Sequence, residues 1–393
     1  MELGPEERSH NTERVTNAFG KMAEVLQSAV PRVSALSLSL HPARDPLVGQ
    51  DDDGWEEDWE DDPDSRRLPM LSSVPAMEPF RSAEAGPIAA VDCGLIHLGE
   101  TAAGPVIALR ASIVVDIGAD MPSVRLYRTG PLLLPLAAQA ELLLRIGTDL
   151  GQPDCFVELD DTDPSNLCIR RIKGGLANSA KYLADRFRVW WERLAQAEAV
   201  TLITDGTLLL DEALILRNRD TPDVFLHSLA ASAARNTTSV IGLSKQSRVL
   251  IGGKSVRFWL DDCKNVTGYR HLTPVLASEV REVAGDRTQH DNRAARIFGN
   301  VYATRFTPLG ATLRMDVKAS HGRTDASAIA QLFVSSLMVA GYPEILARAH
   351  AYCYFSRADV MALQAQACAD YGLDHEPAAA LTAAFAPFQG AWK

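Results

Sequence analysis

Two different periods govern the apolar positions of this chain. Between residues 11 and 30, Val15, Ala18, Phe19, Met22, Leu26, Ala29 and Val30 recur at three- and four-residue steps, which predicts an amphipathic helix closed by Pro31. Such a helix either packs on its own domain or docks on a partner. Residues 31–80 show no lasting period and are rich in Pro, Ser and Asp, the composition of a disordered linker. From Pro87 the pattern turns to strands: PIAAVD, GPVIALRASIVV and SVRLYRTGPLLL are joined by short links and predict an antiparallel meander. A helical stretch over 175–197 follows, then VTLIT from Val200, read as a strand that ends at Asp205. A helical segment near 221–235 and the strand TSVIGLS, which ends at Lys245, come next. The order βββαβαβ predicts an α/β fold in which helices cover a mixed sheet. Two more strands, near 298–306 and 310–318, precede a helical region that starts at Ala326. The expected division is an N-terminal helix in 1–35, an acidic, Pro/Ser-rich linker in 36–80 and one globular domain in 81–393.

Composition narrows the class. Hydrophobic residues at 47% and charged residues at 23% are the balance of a globular protein with a sizeable core. No apolar run reaches the ~18 residues of a membrane helix, and the chain opens on the polar MELGPEERSHNTER, so the expectation is a cytoplasmic protein without a membrane partner. The six cysteines lack any CxxC pair and are expected to be reduced core residues rather than a zinc knuckle or a disulfide framework. The net charge of −11 argues against nucleic-acid contact until its distribution is read. DDDGWEEDWEDDPD, residues 51–64, holds ten acidic and no basic residues, which leaves the other 379 at −1. Trp55 and Trp59 inside that run fit a solvated linker, or a segment that docks on a basic surface or mimics a nucleic-acid strand.

Candidate chemistry begins with two carboxylates. Asp92 in AAVDCG and Asp205 in LITDGT each close an apolar run and each have a Gly within two residues. In a βββαβ sheet the first and fourth strands can lie parallel and adjacent, which brings both carboxylates to one edge. Adjacent carboxylates repel unless something positive sits between them, and a divalent cation is the economical answer. The intervening helix should supply a third oxygen ligand: Asp185 by its reach, or Glu192 by its longer side chain. Hard oxygen ligands suit Mg²⁺ or Mn²⁺, and two such ions are the usual device for phosphodiester hydrolysis. Asp205 alternatively caps a turn. Lys245 is either a strand-end lysine or a cation that holds a DNA phosphate; Arg248 joins it as a DNA contact, and Arg314 is a DNA contact or half of an ion pair. The Trp190–Trp191 pair reads as helix packing. His350, taken alone, reads as a core histidine.

AVDCG around Asp92, LITDGTLL around Asp205, VIGLSK around Lys245, LRMDV around Arg314 and GYPEILARAH from Tyr342 to His350 stand in the order of the NurA nucleases, and over about 87–360 the chain resembles that family. The resemblance implies an RNase H-like mixed sheet and makes 81–393 a nuclease domain. It implies metal-site roles for Asp92, Asp205 and His350, with Tyr342 lining the site. It also implies a carboxylate on the helix before the second Asp-Gly, where Glu192 matches by type and Asp185 by reach. A nitrogen ligand such as His350 favours Mn²⁺ over Mg²⁺. By the same resemblance the protein is an exonuclease and single-strand endonuclease. It would work as a homodimer on the hexameric translocase HerA, in DNA end resection, double-strand-break repair or phage defence. The alternative is a non-catalytic adaptor on a degenerate nuclease fold, with Cys93, where the family has Gly or Ser, as its mark. Phosphoryl transfer on a small molecule is disfavoured by the lack of a glycine-rich phosphate loop.

Overall fold

A computed structural model of the chain describes residues 39–42, 75–118, 121–134, 157–159, 169–172, 180–211, 229, 233–245, 250–251, 254–263, 265–275 and 299–375. The helix expected over 11–30, the acidic run 51–64 and most of the segment near 221–235 lie outside these residues.

The meander forms as expected. Strands β3 (Ile88–Thr101), β4 (Gly104–Asp116) and β5 (Ser123–Leu133) pair antiparallel in sequence order, and β3 runs nine residues beyond the PIAAVD run. Helix α1 (Ala180–Leu202) follows, and its end corrects the expected strand at VTLIT: Val200, Thr201 and Leu202 are its last turn. Trp191, Ala195, Ala199 and Ile203 recur every four residues and are all buried, so VTLIT extends the helix's apolar stripe. A short apolar run looks the same at the end of a buried helix as in a strand. The fourth strand is instead β8 (Thr207–Leu210), TLLL, buried at every position as a central parallel strand should be.

Around this core the main sheet has the order β17–β1–β3–β8–β9–β14–β13–β12–β2, with β4 also paired to β3 and β5 to β4. Here β1 is Ser39–Pro42, β2 Met77–Glu78, β9 Ser239–Ser244, β12 Gly268–His271, β13 Asn300–Arg305, β14 Leu313–Lys318 and β17 Asp374–His375. Short two-stranded pairs are made by β6 (Val157–Leu159) with β7 (Ile169–Ile172), β10 (Leu250–Ile251) with β11 (Lys254–Ser255), and β15 (Met338–Val339) with β16 (Tyr342–Pro343). The sheet is mixed: β3, β8 and β9 run parallel, as do β1 and β17, while the other pairings are antiparallel. Two pieces of the stretch read as linker are strands of this sheet: 39–42 pairs between β17 and β3, and 77–78 is an edge strand beside β12.

Alternation decides which face each helix covers. Ile88 and Ala90 of β3, Leu209 of β8 and Ile241 and Leu243 of β9 point to one face and form a core with helices α2 (Asp325–Ser335) and α3 (Glu344–Cys353), through Ile329, Leu332, Ile345, Leu346 and Ala349. Helix α4 (Arg357–Tyr371) adds a second cluster, in which Val360 and Ala367 join Ile96 and Leu98. Helix α1 packs along β3 and β4 beside Cys93, which points opposite to Ala90. Over its described residues the helical region expected from Ala326 is thus three helices, interrupted by the β15–β16 hairpin. Among the described residues no helix is long and apolar enough to cross a membrane.

Candidate metal centre

The register of the parallel strands builds the site. Ile88 pairs with Thr207 and so on to Val91 with Leu210, so one residue past the last rung stand Asp92 and Asp211. Leu210 in turn pairs with Gly242 of β9, and Lys245 follows that strand's last residue, Ser244. The alternation that drops Ala90, Leu209 and Leu243 into the core, continued two residues, gives Asp92, Asp211 and Lys245. Asp92 within β3, Asp211 just past β8 and Lys245 just past β9 therefore set charge across three neighbouring strands on the face covered by α2 and α3.

Side chains from two other elements close over this edge. Tyr342 of β16 donates its hydroxyl to Oδ1 of Asp211 at 2.6 Å, and the Lys245 ammonium reaches Oδ2 at 2.8 Å while lying 4.6 Å from the Tyr342 ring centroid. On α3, His350 Nδ1 lies 2.9 Å from Oδ2 of Asp92, and the Cys353 thiol donates to the same oxygen at 3.2 Å. Oδ1 of Asp92 accepts the Cys93 amide at 2.7 Å. Helix α3 comes this close because residue 94 is glycine: a Cβ there would stand 2.5 Å from the Cys353 carbonyl oxygen. Tyr342 and His350 reach one site from separate elements, since Pro343 breaks the chain between them and α3 begins at Glu344.

The electrostatics is that of crowded anions. Burial pushes the Asp92 carboxyl up, but the hydrogen bond and charge of His350, the Cys353 thiol and the Cys93 amide outweigh it and hold the group below its ordinary value. Its hydrogen bond to Asp92 raises the His350 imidazole against the opposing effect of burial. Asp211 is raised by burial, and the charge of Asp92 adds to that, against the pull of Lys245. Glu192 of α1, 4% exposed, is raised by burial and by Asp92 too, while Arg188 and Arg193 oppose the shift. Asp92 is thus a buried anion whose charge raises both Asp211 and Glu192, a repulsion that a divalent cation would relieve, and the carboxylates fit an oxygen-liking Mg²⁺ or Mn²⁺. Asp92 and His350, whose donor atoms already lie 2.9 Å apart, would hold it, with Asp211 and Glu192 within electrostatic reach of Asp92.

No family model matches the chain, and no curated protein matches it. Among solved structures it is similar to the NurA nuclease from Sulfolobus solfataricus, at 14% identity and a TM-score of 0.38, over 75% of this chain and 88% of that one. It is similar also to a NurA structure with manganese, at 10% identity and a TM-score of 0.33, over 75% of this chain and 91% of that one. For a further NurA structure the figures are 10%, 0.31, 71% and 87%.

Of the residues singled out in the sequence, the structure brings Asp92, Lys245, Tyr342 and His350 to one edge, and Glu192 of α1 lies within electrostatic reach of Asp92. Asp205 is not there. It precedes β8 and Asp211 follows it, with four strand residues, about 13 Å, between them. Asp205 serves a turn instead: its φ is 55°, its amide donates to the Asn236 carbonyl, its side chain accepts the Thr237 hydroxyl and its carbonyl accepts from Arg323. Gly206 beside it is needed for contact, because a Cβ would stand 2.4 Å from the Pro87 carbonyl oxygen. Asp185 lies in α1 at a position whose side chain is outside the described residues, and Arg248 is outside them altogether. Arg314 is no DNA contact: buried on β14, it makes a two-pronged pair with buried Asp316 at 2.9 and 3.0 Å. Breaking such a pair costs about 3–5 kcal/mol, so the residue belongs to the fold. Sequence reasoning missed Asp211 and Cys353. The first was legible in TLLLD, a continuous apolar run bounded by Gly and Asp, and the second in its place one helical turn after His350.

Proposed function

We propose that this chain is a divalent-metal-dependent deoxyribonuclease that hydrolyses phosphodiester bonds by in-line attack of water. The observation that carries the reading is that Asp92 and Asp211 each stand one residue past the last rung of β3 and β8, with His350 on the Asp92 carboxylate and the Asp92 charge felt by Glu192. The resemblance of GYPEILARAH and AVDCG to the NurA motifs supports it independently of that geometry. A bound Mn²⁺ or Mg²⁺, singly or as a pair, supplies charge neutralisation on the phosphate and activation of water. The chain's own part is to hold the carboxylates in register and to place the Lys245 cation beside them for a phosphate oxygen. His350, with its side chain 33% exposed, marks the open side from which a phosphate would approach. As the motifs suggest, the protein acts as a homodimer in the cytoplasm, on a hexameric HerA-type translocase that feeds it DNA ends in break repair or phage defence. The −1 charge outside the acidic run fits an enzyme that borrows DNA affinity from such a motor, because phosphate contacts are normally made by Lys and Arg.

The test is cleavage of end-labelled single- and double-stranded DNA by the purified chain, with Mn²⁺ or with EDTA. Asp92→Asn and Asp211→Asn should each lower the rate by on the order of 10²-fold or more. Asp205→Ala should keep it within a few-fold while lowering stability by roughly 1 kcal/mol, since alanine sits less well at positive φ. Absence of Mn²⁺-dependent cleavage, with and without the translocase, would overturn the enzyme reading in favour of the adaptor.

A further inference from the structure

The Cys353 thiol has no part in the chemistry proposed above, yet it points at the same carboxylate oxygen as His350. Sγ lies 3.2 Å and Nδ1 2.9 Å from Oδ2 of Asp92, and the three donor atoms all lie within 4.8 Å of one another. His350 and Cys353 are three apart on α3 and share a face, and Gly94 admits that end of the helix to β3.

We infer that Asp92, His350 and Cys353 form a site for a thiophilic divalent cation, Zn²⁺ above all, which competes with the catalytic ion and silences the centre. The inhibitory part rests on the nuclease reading; the binding part does not. A carboxylate, an imidazole and a thiolate are a usual zinc donor set, and thiolate selects Zn²⁺ over the oxygen-loving Mg²⁺ and Mn²⁺. With bonds of about 2.0–2.3 Å, tetrahedral donors stand roughly 3.3–3.8 Å apart. The two separations of 2.9 and 3.2 Å need to open by only fractions of an ångström. The ion takes the place of the proton or protons now directed at Oδ2. The thiol proton leaves to solvent, the imidazole binds through the Nδ1 lone pair with its proton on Nε2, and the bound pair of anions balances the dication. A fourth position faces the open side at His350 for water. The cost is borne by the catalytic arrangement, because Asp92 committed to Cys353 is drawn from Asp211 and Glu192.

Cobalt reports thiolate ligation directly. The full chain titrated with Co²⁺ should develop a near-ultraviolet thiolate-to-cobalt charge-transfer band that saturates at one ion per chain and is erased by Zn²⁺. The band should vanish in Cys353→Ser and persist in Cys93→Ser. Zinc-edge X-ray absorption on the unmodified protein gives a second measurement that needs no variant, with one sulfur expected at about 2.3 Å. Zn²⁺ inhibition of Mn²⁺-dependent cleavage should weaken by on the order of tenfold or more in Cys353→Ser. Cobalt bound without the band, a band that survives Cys353→Ser, or zinc without a sulfur neighbour overturns the site. A band in a protein that never cleaves DNA leaves the site standing and defeats the nuclease reading; cleavage without the band does the reverse.

Discussion

Asp211 has both oxygens engaged, one by the Tyr342 hydroxyl and one by the Lys245 ammonium, whereas Asp92 carries His350 and Cys353 on a single oxygen. Lys245 is thus the internal cation of an anionic edge, with its side chain still 36% exposed. Burial raises the Asp211 carboxyl and Lys245 pulls it down, so Lys245→Met should raise it further. In the proposed nuclease the carboxylate is the competent form, so the acid limb of the pH–rate profile should move to higher pH. Cleavage at the plateau should fall by roughly 10²-fold through loss of a cation at the phosphate. A limb that stays in place in Lys245→Met would show that Asp211 does not titrate in the profile. The contrast between Asp205 and Asp211 shows what residue type alone conveys. Asp-Gly after apolar residues marked a place where the chain turns sharply and a carboxylate is tolerated, and both statements hold at Asp205. That the carboxylate set beside Asp92 lies six residues on, at the far end of β8, depends on strand direction, which a dipeptide does not encode. Asp92 and Lys245 were legible because each closes or follows an apolar run of strand period, whereas Tyr342 and His350 were legible only through the resemblance of GYPEILARAH to a family motif.

Among the elements, strands buried on both faces and the meander announced themselves through runs of Val, Ile and Leu, while the boundary of α1 did not. The short strands β1, β2 and β17 escaped notice because two to four residues hold no period, and their pairing is decided by the sheet they join. The fixing of α4 against the sheet is a local device. Ser356 and Asp359 form a capping box at its start, and Arg110 of β4, itself bonded to the Tyr354 carbonyl, reaches Asp359 at 3.2 Å. Slight burial pushes the Asp359 carboxyl up, but the Ser356 amide and hydroxyl and the Arg110 guanidinium outweigh it and hold the group at about 2. A depressed carboxyl stabilises the fold above its unfolded value of 3.8, and that contribution is lost as pH falls towards about 2. Asp359→Asn should therefore lower the thermal midpoint at neutral pH and flatten its dependence between about pH 4 and pH 2. Ser356→Ala should cost about 1 kcal/mol at neutral pH by loss of the cap. An acid limb unchanged in Asp359→Asn would assign it to other carboxylates.

For the whole molecule the decisive quantity is where the charge lies. A chain with net −11 ought to repel DNA, but ten of those charges sit in residues 51–64, and the rest is close to neutral. An acidic run tethered to a DNA-handling surface contributes in two ways, by raising the negative potential around the protein and by competing with phosphates for its Lys and Arg. Both effects are electrostatic and long-ranged, so both are screened over about 8–10 Å at physiological salt. Deleting 51–64 should therefore tighten single-stranded DNA binding at low salt, with the effect shrinking towards nothing as salt rises, and should leave the Mn²⁺-dependent rate on saturating DNA unchanged. Fluorescence anisotropy of a labelled oligonucleotide with Asp92→Asn, the variant expected to cut least, reads the affinity across a salt series. The slope of log affinity against log salt counts the phosphates neutralised, at about 0.7 per contact for a single strand. If the run competes for basic groups, its removal steepens the slope; if it only adds repulsion at a distance, affinities converge at high salt with little change in contact number. A deletion that weakens binding would mean that Trp55 and Trp59 hold DNA by stacking strongly enough to outweigh ten neighbouring negative charges.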